Sequence, residues 1–210
     1  MYSADYFREE DRTRILEIMR ENSFAVLVAD DGTRPIASHL LVETDEDQEG
    51  IVINGHMSRA NPLWKLFATG RDVLLVFQGP DTYISATWYN HVNVPTWNYQ
   101  AVHAYGQARI LEGEEYYQVL SRLIARHEGA STYRLENLPQ DFVQQSMRGT
   151  AGFQVRVTRL EAVFKLSQNR ADEDYRRIVV ELDRRGDEQS QQVAAAMRRN
   201  RRLDESMPNG

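Results

Sequence analysis

The chain contains no cysteine among its 210 residues. This absence excludes disulfide bridges, thiolate catalysis, cysteine-held zinc and iron–sulfur clusters. The chain also lacks an apolar run of about 18 residues, the minimum for a helix that spans a membrane. Its acidic first residues lack the basic start and apolar stretch of a secretory signal. We therefore expect a cytoplasmic protein with no membrane partner.

Lysine is nearly absent as well, because Lys65 and Lys165 are the only two lysines among 25 basic residues. Acidic residues outnumber basic ones and set the formal net charge at −6. A protein that wraps a polyanion needs excess positive charge to neutralise phosphates. The arginines after residue 171 are interleaved with Asp and Glu, which is typical of a solvated surface. Direct nucleic-acid binding is therefore not expected.

Several sequence motifs that would indicate chemistry are missing. There is no GxGxxG or GxxxxGK[ST] phosphate loop, no GxSxG nucleophile elbow and no HExxH zinc motif. The five histidines show no metal-ligand spacing. No metal site and no catalytic residue are predicted, and a nucleotide cofactor would have to be held in another way.

The remaining composition, 41% hydrophobic and 27% charged, is that of a globular protein. Short strands separated by turns, with helices grouped late, predict an antiparallel β-barrel with peripheral helices, of the α+β class. Residues 1–170 are expected to form this domain, residues 171–203 a helical extension packed on it, and residues 204–210 a flexible tail. The predicted helices cover residues 11–22, 62–70, 113–128 and 139–148 and two segments after residue 171; the predicted strands cover residues 24–29, 34–43, 50–57, 72–79, 82–89, 100–111 and 153–167.

Three local features complete this prediction. The acidic stretch at residues 45–49 is expected to be a solvated loop. The sequence Gly79-Pro80-Asp81 predicts a turn between two strands. In the helix at residues 113–128, helical spacing places Tyr117, Leu120 and Ile124 on one face.

One candidate site lies where a strand ends and a helix begins. His56, Met57, Ser58 and Arg59 precede Asn61 and Pro62, and Pro favours the first turn of a helix. Free N–H groups at a helix start, a Ser hydroxyl and an Arg are complementary to a phosphate. A capped helix start with a surface Arg is the alternative. His56 could equally be a structural residue, and a haem held through one His stays open.

Two further segments combine polar and aromatic residues. Trp97, Asn98 and Tyr99 are expected in a loop that could lie over a flat ring, or Trp97 could plug the core. Residues 165–170, with the sequence KLSQNR, place five polar residues directly after a strand. They could close a polar site or cap the helix that follows.

The strings HMSRANPLWK, FQGPDTYISATWY, NVPTWNYQAVHAYG and FKLSQNR, in this order, resemble the PaiB family of FMN-binding negative transcriptional regulators. The resemblance runs from Met1 to about Arg199. It implies an FMN-binding split β-barrel of the pyridoxamine-phosphate-oxidase-like superfamily, and a homodimer with FMN in two clefts between subunits. The implied cofactor-binding residues are His56, Met57, Ser58, Arg59, Asn61, Lys65, Trp97, Asn98, Tyr99, Lys165, Ser167, Gln168 and Arg170.

In that superfamily an Arg or Lys at this place grips the FMN phosphate, which points to Ser58 and Arg59. A second basic residue usually follows, but Ala60 stands there, so Lys65 or Lys165 is the substitute to consider. The resemblance favours a negative transcriptional regulator that acts through flavin binding or redox state. A flavin-dependent oxidoreductase of a small molecule and a haem-binding split-barrel protein remain as alternatives, and the small-molecule ligand is not identified.

Overall fold

A computed structural model of the protein describes residue 1 and residues 3–201. Over these residues it contains six strands, five α-helices and four short 3-10 segments. The strands are β1 (Phe24–Asp30), β2 (Pro35–Asp47), β3 (Gly50–Ser58), β4 (Asp72–Ile84), β5 (Thr96–Leu111) and β6 (Thr150–Lys165). The α-helices are α1 (Arg12–Glu21), α2 (Gly113–Glu128), α3 (Gln140–Arg148), α4 (Asp172–Arg185) and α5 (Glu188–Asn200), and the 3-10 segments are Asp5–Phe7, Pro62–Thr69, Ala86–Trp88 and Leu135–Asn137.

The six strands form one sheet in the order β1-β2-β3-β6-β5-β4, and the order closes on itself because β4 also pairs with β1. Strand β1 pairs antiparallel with β2 and β4, and β3 pairs antiparallel with β2 and β6. An antiparallel sheet with separate helices confirms the predicted α+β class. None of the helices within residues 3–201 is long and apolar enough to cross a membrane.

The acidic stretch at residues 45–49 begins inside β2, so the prediction of a loop over these residues is wrong for residues 45–47. Asp47 pairs with Gly50 across the hairpin, and its Oδ1 accepts the N–H groups of Glu49 and Gly50 at 2.9 and 3.1 Å. Arg156 also forms a two-pronged ion pair with the Asp47 carboxylate. These bonds hold the acidic residues in the sheet despite their mutual repulsion.

The predicted turn at residues 79–81 is also wrong, because β4 continues through it. A Cβ on Gly79 would lie 3.3 Å from Gln100, so the glycine permits a close approach of strands rather than a turn. Pairing of β4 with β1 involves only Leu74 to Val76. Pro80 lies beyond that pairing, where its missing N–H interrupts no bond to β1.

The chain divides into two compact units. Unit 1 consists of Met1–Ile18, Gln78–Val102 and Glu161–Gly210, and unit 2 consists of Met19–Phe77 and His103–Leu160. The core of unit 1 includes the fully buried residues Tyr175, Ile178, Leu182, Val193 and Met197, all from α4 and α5. The tail predicted at residues 204–210 lies outside the described residues, as do residues 202 and 203.

In unit 2, the buried face of helix α2 is shifted by one position from the one predicted, and Leu120 still packs half-buried against it. Tyr116, Val119 and Leu123 are buried, one position before each predicted residue. The reason lies on β6, where Gly152 has no side chain: a Cβ there would lie 2.2 Å from the ring of Tyr116. The glycine leaves the space that this ring fills, so the helix is oriented with Tyr116 toward β6.

Candidate functional site

The segment after β3 forms a short helical start. Ser58 Oγ accepts the N–H of Ala60 at 3.2 Å, and Asn61 Oδ1 accepts the N–H of Leu63 at 3.0 Å. Asn61 is thus the N-cap of the 3-10 segment that begins at Pro62, and its Nδ2 donates to Ser38 Oγ at 2.7 Å. Both ends of the Asn61 side chain are therefore used inside the chain, and its structural role is to shape the turn that carries Ser58 and Arg59.

Two cations flank one indole in this segment. The charged groups of Arg59 and Lys65 lie 5.2 and 5.8 Å from the ring centre of Trp64, whose Nε1 donates to the carbonyl of Arg59 at 3.1 Å. Within residues 3–201 neither cation forms an ion pair with a carboxylate, whereas Arg156 in the same unit is paired with Asp47. Arg59 and Lys65 are both exposed. They form a positive surface that is free to meet an anion.

His56 lies on the same face of β3 as Ser58, while Met57 points to the core. Burial lowers the pKa of His56 below its usual value, so the ring is held in its neutral form. The buried Nδ1 atom has no hydrogen-bond partner in the described part of the chain. A buried polar atom without a partner is unusual in a protein, and a bound group could supply the missing bond.

A second cluster lies in unit 1, where β5 begins and β6 ends. Lys165 Nζ donates to Thr96 Oγ1 at 2.6 Å, and the buried side chains of Asn98 and Ser167 are bonded to each other at 3.0 to 3.1 Å. With Arg170 these residues line a cleft of about 190 Å³. Burial, and then the charge of Arg170, lower the pKa of Lys165.

Ser167 has a φ of 59°, the one positive value among the non-glycine residues that the structure describes. Such a conformation costs on the order of 1–3 kcal/mol and is common at functional sites. It is held in place by the bond to Asn98 and by the N–H of Arg170, which donates to the Ser167 carbonyl at 2.9 Å. The backbone strain thus coincides with the wall of the cleft.

Gln168 supports this wall rather than facing a ligand. Its Oε1 accepts the N–H of Leu166 at 2.7 Å, and its Nε2 donates to the carbonyl of Phe164 at 2.6 Å. The guanidinium of Arg201 donates to the carbonyls of Gln168 and Arg170. The segment that follows β6 is therefore fixed by the side chains of Gln168 and Arg201.

Trp97, Asn98 and Tyr99 do not act as one group. Residues 96–99 belong to β5, and alternation along the strand turns Asn98 inward while Trp97 faces the other way. Trp97 is 48% exposed, donates from Nε1 to Asp81 Oδ1 at 2.8 Å, and meets the edge of Tyr83 at 6.1 Å. Only Asn98 of the three belongs to the lining of the Lys165 cleft.

The structure thus brings eleven of the thirteen predicted residues together in two groups, each within one unit, and leaves Trp97 and Tyr99 outside both. His56, Met57, Ser58, Arg59, Asn61 and Lys65 lie on β3 and the segment after it; Asn98, Lys165, Ser167 and Arg170 meet around the cleft, with Gln168 behind it. The prediction missed Thr96 and Trp64. Alternation along a strand would have placed Thr96 on the same face as Asn98, but Trp97, Asn98 and Tyr99 were predicted in a loop.

Comparison with known proteins shows the family to which the chain belongs. Residues 1–159 match the model of a family described as "Putative FMN-binding domain". The chain is 36% identical over 199 residues to the protease synthase and sporulation protein PAI 2 of Bacillus subtilis (strain 168), covering 94% of this chain and 96% of that protein. This relative confirms the resemblance to the PaiB family.

Two solved structures share the fold. The FAD and heme binding protein from Mycobacterium smegmatis superimposes with a TM-score of 0.62 at 14% identity, covering 80% of this chain and 78% of the other. The flavocytochrome Anf3 from Azotobacter vinelandii superimposes with a TM-score of 0.59 at 16% identity, covering 83% and 78%. At such identities the likeness concerns the fold.

Proposed function

Because the chain belongs to the FMN-binding domain family, whose cofactor is FMN, we propose that it is a cytoplasmic PaiB-type flavoprotein with a split β-barrel. It works as a homodimer, with FMN bound in clefts between the two subunits. Flavin occupancy or redox state is the signal by which it acts as a negative regulator of transcription. When bound, FMN supplies the redox chemistry of its ring, and the chain's residues bind and orient it.

The observation that carries this proposal is the positive surface after β3. Arg59 and Lys65 have no carboxylate partner in the described ranges and lie by the same ring, that of Trp64, a few residues after Ser58. Arg provides paired donors that match a phosphate, and Lys adds a compact positive charge. Lys65 thereby supplies the second basic group, because Ala60 stands at the position where the superfamily usually has a basic residue. His56, with its unpartnered Nδ1, is a further donor or acceptor for the cofactor.

We predict that Arg59→Ala weakens FMN binding about tenfold or more, because a hydrogen bond between charged groups contributes about 1.5–3 kcal/mol. Folding should change little, since Arg59 is exposed and its described ring contact is with Trp64 alone. Fluorescence titration with FMN measures the affinity, and thermal unfolding of the FMN-free protein measures the stability. Arg71→Ala, an exposed arginine of the same unit that pairs with Asp30, is the matched control. Equal FMN affinity in the Arg59→Ala protein would place the phosphate elsewhere.

An absorption spectrum of the purified protein distinguishes the cofactors. Flavin bands support the proposal, whereas a Soret band would indicate the haem alternative. Consumption of NAD(P)H by the FMN-loaded protein would instead favour a flavin-dependent oxidoreductase.

We further predict that the protein does not bind DNA with sequence specificity, so that regulation is indirect. The arginines of the last helices are largely matched by acids: Arg198 pairs with Asp183, and Arg199 pairs with Glu17. These carboxylates oppose the approach of phosphates. Fluorescence anisotropy at physiological salt, with FMN-free and FMN-loaded protein, compares upstream DNA with random DNA. A preference of roughly a thousandfold, as specific binders show, would contradict the prediction.

A further inference from the structure

The cleft in unit 1 is lined by two cations and by neutral polar side chains, and it contains no acid among the described residues; the Asn98 and Ser167 side chains bond to each other. Lys165 and Arg170 supply positive charge, and Thr96, Asn98 and Ser167 supply hydroxyl and amide groups. Neither Asp nor Glu occurs among its lining residues. The described part of the chain forms many Arg–carboxylate pairs elsewhere in this unit, such as Arg201 with Asp172. The lack of a carboxylate is therefore specific to this cleft and does not extend to the rest of the unit.

Each of the two cations lies beside an aromatic ring, and neither lies beside a carboxylate of the described residues. Lys165 Nζ lies 5.8 Å from the ring centre of Phe7, and the guanidinium of Arg170 lies 4.9 Å from that of Tyr89. Neither cation has a carboxylate partner within residues 3–201. An ammonium group carries three N–H donors, and Lys165 directs one of them to Thr96. Its remaining donors are available to a ligand.

Two partly buried positive charges repel each other, and this repulsion contributes to the lowered pKa of Lys165. A bound anion would relieve it. The site is also preorganised. The strained backbone at Ser167 is fixed by a hydrogen bond to the buried Asn98, and Arg201 fixes the neighbouring Gln168. A site of fixed donors does not have to reorganise when the ligand arrives.

We propose that this cleft binds the carboxylate or phosphate group of a small molecule other than FMN, an anionic substrate or signal of the protein. Its volume of about 190 Å³ is below that of pockets that enclose a drug-sized molecule, roughly 300–1,000 Å³. The cleft therefore accommodates a small anion, or the anionic end of a larger molecule. The inference rests on the proposed function in one respect: the FMN phosphate is assigned to Arg59 and Lys65.

The scarcity of lysine makes a direct test possible. Protein labelled with [ε-¹³C]lysine shows two side-chain signals, one from Lys65 and one from Lys165, and a Lys65→Arg variant assigns them. Benzoate and inorganic phosphate are titrated into FMN-loaded full-length protein, with sodium chloride at equal ionic strength as the blank. We expect at least one probe to move the Lys165 signal saturably and to leave the Lys65 signal in place. The responses to the two probes distinguish carboxylate from phosphate.

A pair of variants identifies the cleft as the binding site. Arg170→Gln should weaken the response of Lys165 about tenfold, because it removes one charge-assisted contact. Arg177→Gln, an exposed arginine on α4 outside the cleft, should leave it unchanged. A shift reproduced by chloride, or an equal response in both variants, would overturn the proposal.

The test also separates this proposal from the flavin assignment. If FMN itself moves the Lys165 signal and Arg170→Gln weakens FMN binding, the cleft holds the flavin phosphate and the proposal is wrong. The anion titration is repeated on FMN-free protein. If Arg59→Ala leaves FMN affinity unchanged, a saturable Lys165 response there still supports the cleft, provided that FMN does not move the Lys165 signal; in that case only the phosphate assignment to Arg59 fails.

Discussion

The neutral ring of His56 makes folding sensitive to mild acid. Its folded-state pKa is lowered by burial, so in mild acid the unfolded chain binds a proton more readily than the folded one. Stability should therefore fall as the pH drops below the usual His value of 6.5 and should level off below the lowered pKa. The slope from this residue is at most about 1.4 kcal/mol per pH unit.

Urea unfolding of FMN-free protein at several pH values between neutral and mildly acidic measures this dependence. His56→Gln should flatten the curve in that range, whereas His127→Gln, an exposed position on α2, should not. An unchanged slope in the His56→Gln protein would assign the pH dependence to other groups.

Individual residues also show where sequence reasoning succeeds. The helical start at Pro62 was predictable, because Pro favours the first turn of a helix, and Asn61 caps it. The opposite orientations of Trp97 and Asn98 were not, because they depend on whether β5 begins at Thr96. Side-chain facing follows strand register, and a register error of this kind reverses inside and outside.

The cap at the 3-10 segment Pro62–Thr69 gives a test at the scale of an element. Asn61→Ala should destabilise the FMN-free protein by about 1 kcal/mol or more, because it removes the bond to Leu63 N–H and leaves Ser38 Oγ without its donor. Asn61→Asp keeps the cap oxygen and is the matched control, with a smaller expected loss. Chemical denaturation measures both. Equal stability of Asn61→Ala and wild type would show that Pro62 alone starts the segment.

Elements with local signals were predicted well. Helix α1 buries Ile15, Ile18 and Met19, as its spacing indicates. Long-range contacts explain the exceptions. Gly79 allows a close approach to Gln100 of β5 and does not form a turn, and Gly152 of β6 determines which face of α2 is buried. A single sequence does not show which strand a glycine will face.

For the whole molecule, the prediction of a homodimer depends on the family resemblance. The apolar residues of β4, such as Val73 and Phe77, are buried within the chain itself and offer no surface to a partner. Tyr83 and Trp97 remain 43% and 48% exposed and touch each other. Light scattering at micromolar concentration should yield twice the 24.3 kDa chain mass. A mass of one chain would count against a cleft shared by subunits.

Three strands, β4, β5 and β6, each pass from one compact unit into the other. This has a consequence for the order of events on the ribosome, where a chain emerges from its N-terminus. Every residue of unit 2 has been synthesised by Leu160, whereas unit 1 needs both Met1–Ile18 and the helices after residue 171. Residues 1–18 must therefore wait for residues 161–201 before unit 1 is complete, whereas a chain halted near residue 160 already contains every residue of unit 2.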